Sequence, residues 1–138
     1  MKLGHNSKID LIKGVPLFAS ASKQELAEIA SIADEIDLPE GKVLIQEGDT
    51  GREFFVLVEG TADVERGGGK IASIGAGDFF GEIALIAKTP RNATITTTSP
   101  VRALVITDRA FRQLLDHAPQ IQIGVLTALA ERLAPTTL

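Results

Sequence analysis

FFGEIALIAKTPRNAT, residues 79–94, sets a glycine and a carboxylate ahead of a short apolar run and an arginine beyond it. Gly81 can take positive φ or let another group approach its backbone, options that a β-carbon restricts. Glu82-Ile83-Ala84-Leu85-Ile86 has the composition of one or two helical turns. The first N–H groups of such a turn have no intrahelical partner, so they can converge on an anion, which the helix dipole also favours. Arg91 follows a Lys88-Thr89-Pro90 turn that carries the chain back toward that helix start, and a guanidinium grips two oxygens of one phosphate where a lysine cannot. Glu82 would repel a bare phosphate, but it accepts a hydrogen bond from a hydroxyl. Together the residues describe a sugar phosphate. Taken alone, Glu82 and Arg91 could instead form a salt bridge across a turn, worth little and implying no ligand.

The flanks say what kind of scaffold holds this stretch. From Ile36 to Gly81 short β-rich runs are punctuated by glycine, with nine of the thirteen glycines between Gly41 and Gly77, which marks tight turns between short strands. Strands continue through ATITTTS and VRALVIT, and Gly67 to Gly69 reads as a hairpin tip. Many closely spaced strands imply a closed or two-layered β structure that disposes of its edges without crossover helices. The expected fold is mainly β with flanking helices: an eight-stranded β-roll of jelly-roll topology. Upstream, SASKQELAEIASIADEI repeats apolar residues at helical spacing behind Ser22 as N-cap, with Glu25 three positions on to close a capping box. Downstream, DRAFRQLLDHAP and QIQIGVLTALAERL return to helical periodicity, divided by Pro119. The expected organisation is one domain over 1–138: an N-terminal helical segment (1–34), the roll (35–107) and two C-terminal helices (108–134).

Composition excludes several function classes. With 138 residues there is room for one core. A net charge of −4 argues against a nucleic-acid footprint, which needs clustered cations. No cysteine is present, so disulfides and thiolate metal sites are excluded. The two histidines, His5 in an N-terminus read as mobile and His117 at a helix end, cannot make the cluster that metal-binding jelly rolls need. No apolar stretch approaches a membrane span and MKLGHNSKIDLIKG lacks a signal core, so a cytoplasmic protein is expected.

F-G-E-x-A-L followed by P-R-x-A-T resembles the phosphate-binding cassette of cyclic nucleotide-binding domains. VPLF (15–18), EGDTGREFFVLVEG (47–60) and IGAGDFFGE (74–82) resemble further family segments in the same order. The resemblance thus covers nearly the whole chain. It implies that Glu82 binds the ribose 2′-hydroxyl and that Arg91 pairs with the cyclic phosphate. It further implies that backbone amides at Gly81, Ile83, Ala84 and Asn92 face that phosphate, and that Val64 and Ile74 line the base. Asn92 departs from the Ala, Ser or Thr usual in the family, which leaves cAMP and cGMP both open. Leu129, Arg132 and Leu133 are the candidates to close over the base, with Arg132 carried as the site residue.

The resemblance implies a non-catalytic sensor whose ligand is cAMP or cGMP, with no other cofactor, in which the nucleotide shifts the C-terminal helices toward a capped state and an unidentified effector protein reads the change. Catabolite-activator-like regulators continue into a helix-turn-helix, channels precede the domain with membrane spans, and kinases follow it with a catalytic domain. None of these is in the sequence, and a stand-alone module, monomer or weak homodimer, is the expectation. The alternatives are an interaction domain of the same fold without nucleotide binding and, on weaker grounds, a jelly-roll enzyme.

Overall fold

The apolar runs EFFVLVE and VRALVIT become the two longest strands, Glu53–Glu59 and Val101–Thr107. Aromatic and β-branched residues fit a pleated, buried surface, and these runs are too short and too continuous for a helix with a wet face. The computed structural model describes residues 4–15, 18–85 and 87–133; the side chains of residues 5, 6, 82, 83, 128, 129 and 131–133 lie outside that description. Two compact units make up the chain: Ala33–Arg109 form one, and the residues up to Ile32 with those from Ala110 onward form the other.

The first unit holds β1 (Asp34–Leu38), β2 (Val43–Ile45), β3 (Glu53–Glu59), β4 (Ala62–Arg66), β5 (Gly69–Ile74), β6 (Phe79–Phe80), β7 (Thr94–Thr97) and β8 (Val101–Thr107). They form two four-stranded sheets in the orders β1-β8-β3-β6 and β2-β7-β4-β5, antiparallel throughout. This is the eight-stranded roll expected from the sequence. Its core takes Phe55, Leu57, Phe80, Ala103 and Val105 from the first sheet and Ala62 and Ile95 from the second. The hairpin tip is the two-residue turn Gly67-Gly68, both at positive φ, the conformation whose twist matches paired strands.

The helical pattern read through Ile36 stops earlier. Helix α2 is Lys23–Ile32 and strand β1 starts at Asp34, because Ile36 and Leu38 alternate with period two and pack on the roll core while β1 pairs with β8. A second correction is at the N-terminus, where residues read as mobile form helix α1, His5–Lys13, with Ile12 fully buried. Its start, Gly4, has no side-chain cap, so the usual start signal is missing.

The other unit holds α1, α2, most of α3 (Asp108–Leu115) and α4 (Pro119–Leu133), with Pro119 at the first helical position, where its missing N–H costs nothing. Phe18 and Phe111 meet in its core with ring centroids 5.7 Å apart. The capping box at Ser22 is formed: Ser22 N–H donates to Glu25 Oε1 at 3.0 Å and Glu25 N–H donates to Ser22 Oγ at 3.2 Å. The other carboxylate oxygen of Glu25 accepts the Gln120 N–H at 3.2 Å, so one buried side chain caps two helices. A carboxylate there also complements the positive end of α4.

Burial pushes the Glu25 pKa up, but the hydrogen bonds from Ser22 and from the amides of Ile121 and Gln120 outweigh it and hold the group below its ordinary 4.5. A depressed carboxylate contributes stability above its unfolded pKa and loses it as pH falls through the folded value. Glu25→Gln is therefore expected to destabilise the protein by about 1 kcal/mol at neutral pH, the scale of a lost cap. Thermal melts of the two proteins should converge as pH falls below 4.5; a gap unchanged at about pH 3 would contradict the ionised cap.

Candidate functional site

Arg91 is brought into place by an irregular antiparallel pairing of the 46–52 loop with 89–92. Thr50 bridges Pro90, Arg91 N–H donates to the Asp49 carbonyl at 2.7 Å, and Gly48 N–H donates to the Arg91 carbonyl at 2.8 Å. From there the side chain reaches the start of β3, where Nη2 donates to the Glu53 carbonyl at 2.7 Å. Among the described residues this is the hydrogen-bond acceptor of a group that carries five N–H donors. Burial lowers the Arg91 pKa and the Glu53 carboxylate opposes the shift, but a guanidinium stays cationic through such a change.

Two glycines make the slot in which the guanidinium lies. A β-carbon at Gly51 would stand 2.4 Å from Arg91 Cζ, and one at Gly81 would stand 2.6 Å from Nη1 and 2.8 Å from the Glu53 carbonyl oxygen. Gly81 also has φ +84°, a conformation that costs an L-residue with a β-carbon about 1–2 kcal/mol. It follows β6, which pairs with β3, and so the end of one strand and the start of its neighbour converge on the arginine. A groove of about 180 Å³ opens beside it, lined by Leu44, Gln46, Asp49, Arg52 and Glu53 among others.

After Gly81 the chain makes a single 3₁₀ turn, Glu82–Leu85, at the short end of the one or two turns expected. It packs on β3, with Ala84 and Leu85 buried. Ala84 N–H donates to the Gly81 carbonyl at 3.0 Å, so an anion would share that amide with the turn. Asn92 is exposed, and its carbonyl accepts Arg66 Nε at 2.8 Å. Val64 and Ile74 sit half-buried on neighbouring strands of the second sheet, packed against the roll core.

The structure thus brings together Gly81, Ala84, Arg91 and Asn92 at one end of the roll, and sets Val64 and Ile74 on its inner face. The side chains of Glu82, Ile83 and Arg132, like those of Leu129 and Leu133, lie outside the described residues. The Glu82–Arg91 salt bridge weighed from the sequence falls outside them too. Gly51 and Arg66 were missed. Gly51 reads as an ordinary turn residue because its reason, the approach of a side chain 40 positions away, has no local signature. Arg66 is exposed beside the hairpin tip, and its partner, a backbone carbonyl 26 positions away, leaves no local signature.

The family model for the cyclic nucleotide-binding domain matches residues 35–118. A cAMP-dependent protein kinase regulatory subunit of Eremothecium gossypii is 36% identical over 113 residues, covering 81% of this chain and 25% of that protein. A cyclic nucleotide-gated potassium channel of Rhizobium etli is 34% identical over 122 residues, covering 88% of this chain and 34% of that protein. The chain therefore spans about a quarter to a third of the length of these relatives. Among solved structures, the N-terminal domain of a transcriptional regulator from Streptomyces coelicolor A3(2) superposes with a TM-score of 0.84 at 30% identity, over 92% of both chains.

Proposed function

The chain belongs to the cyclic nucleotide-binding domain family, and from that premise we propose that it is a non-catalytic sensor that binds cAMP or cGMP. The observation that carries the reading is the half-buried Arg91 guanidinium, held between Gly51 and Gly81 with a single backbone acceptor among the described residues. Such a group is expensive to desolvate and is well placed to pair with an anion.

In this reading Arg91 grips the cyclic phosphate. The amides of Gly81, Ile83, Ala84 and Asn92 supply further donors, that of Ala84 shared with the Gly81 carbonyl. Glu82 accepts the ribose 2′-hydroxyl, and Val64 and Ile74 offer the base an apolar wall. Arg132 of α4 contributes from the C-terminal side. Occupancy biases the position of α3 and α4 by the difference in nucleotide affinity between their two placements and by no more than that, and an effector protein reads the change. No cofactor besides the nucleotide takes part. No helix among the described residues is long and apolar enough to cross a membrane.

Calorimetric titration with cAMP and with cGMP, paired with thermal melts, tests the proposal. At least one nucleotide should release or absorb heat saturably and raise the melting temperature progressively with its concentration, as mass action requires. Silence from both nucleotides in both measurements would leave the interaction-domain alternative standing. Asn92, exposed beside the arginine, is the residue at which a preference between the two is expected to be set.

A further inference from the structure

We infer that Arg66, the last residue of β4, is a positioning residue that fixes the backbone of the cassette on the far side of Asn92. The inference deepens the nucleotide-binding reading and rests on it. Two peptide planes flank Asn92. In the first, the Arg91 carbonyl accepts the Gly48 N–H at 2.8 Å. A trans peptide points its N–H opposite its carbonyl, so this bond turns the Asn92 N–H away from Gly48. In the second plane, the Asn92 carbonyl accepts Arg66 Nε at 2.8 Å, which turns the Ala93 N–H away from Arg66. One plane is held by backbone and the other by this side chain. Together they set the Asn92 dihedrals and hence where its N–H aims.

Arg66 acts from a braced base. The Gly67 N–H next to it donates to Glu47 Oε1 at 3.0 Å, and the Glu47 N–H donates to Thr94 Oγ1 at 2.9 Å. Hairpin tip, 46–52 loop and cassette end therefore form a closed circuit through Arg66–Asn92, Thr94–Glu47 and Glu47–Gly67. Ala93 is buried and Thr94 is already in the ladder opposite Glu65, so slack in this segment falls on the Asn92–Ala93 plane.

The chemistry of the side chain separates position from charge. The glutamine amide nitrogen occupies the place of arginine Nε along the side chain, so Arg66→Gln keeps the donor and removes the charge. Calorimetric titrations of wild type, R66A and R66Q with cAMP and cGMP, each with a melt of the unliganded protein, test the inference. Arg66→Ala is expected to weaken binding about fivefold, the scale of one lost hydrogen bond, with the unliganded melt little changed. Arg66→Gln is expected within about twofold of wild type. Wild-type affinity in R66A would overturn the inference, as would an R66Q protein as weak as R66A, which would make charge the operative property. Wild type that binds neither nucleotide would instead overturn the nucleotide-binding reading itself.

Discussion

Arg91→Ala should weaken cyclic-nucleotide binding by about 2 kcal/mol or more, roughly thirtyfold, because a charge-assisted pair to a half-buried anion is lost and the phosphate keeps its desolvation cost. The unliganded protein should melt close to wild type. The substitution removes one hydrogen bond to the Glu53 carbonyl, and it also relieves the desolvation that depresses the Arg91 pKa, so the two changes oppose each other. Arg91→Lys keeps the charge without the fork and should recover part of the affinity. Calorimetry on the three proteins reads the series directly. An Arg91→Ala protein that bound as wild type would remove the arginine from the site.

The second large effect comes from the slot. Gly81→Ala places a β-carbon at φ +84°, 2.8 Å from the Glu53 carbonyl oxygen and 2.6 Å from Arg91 Nη1. The carbonyl belongs to a strand paired on both sides and cannot retreat. The expected outcome is a loss of about 2 kcal/mol in stability together with a loss of binding. Gly51→Ala is the informative contrast. The nearest atoms to its β-carbon would be those of the guanidinium, 2.4 Å away at Cζ and at Nε, and Gly51 is not among the positive-φ glycines. A flexible side-chain end can swing away, so the fold should keep its stability within about 0.5 kcal/mol while the arginine leaves its place. Melts and titrations of both variants should therefore separate: both lose affinity, one loses stability. Gly51→Ala binding with wild-type affinity would show that the slot does not fix the guanidinium.

Much of this scaffold is visible in residue order because its rules are local. Glycine-bounded apolar runs forecast the roll, and Ser22 with Glu25 forecast a capped helix start that the hydrogen bonds show. The end of α2 carries no mark in the sequence, because a strand beginning at Asp34 follows Ile32 after one residue, with no glycine or proline between them. Helix α1 lies within the N-terminal helical segment, but its start has no capping side chain to mark it. At the site, Gly81 and Arg91 stand out within one short segment. Gly51, the Glu53 carbonyl and Arg66 act only through the fold, at separations of 40, 38 and 26 residues from their partners. A backbone carbonyl has no residue type at all by which sequence could announce it.

The helical unit joins the residues up to Ile32 to those from Ala110 onward, and its Glu25–Gln120 hydrogen bond spans 95 positions. During synthesis the roll strands leave the ribosome before α3 and α4 exist, and domains form as soon as their contacts are available. Helices α1 and α2 therefore wait, with Ile12, Leu26 and Ile29 lacking their final core, until the roll has been made. On that order the helical unit is completed after the roll, although half of it precedes the roll in sequence. A fragment cut to residues 35–118 would be relieved of that wait, and would also lack both ends of the hydrogen bond that closes it.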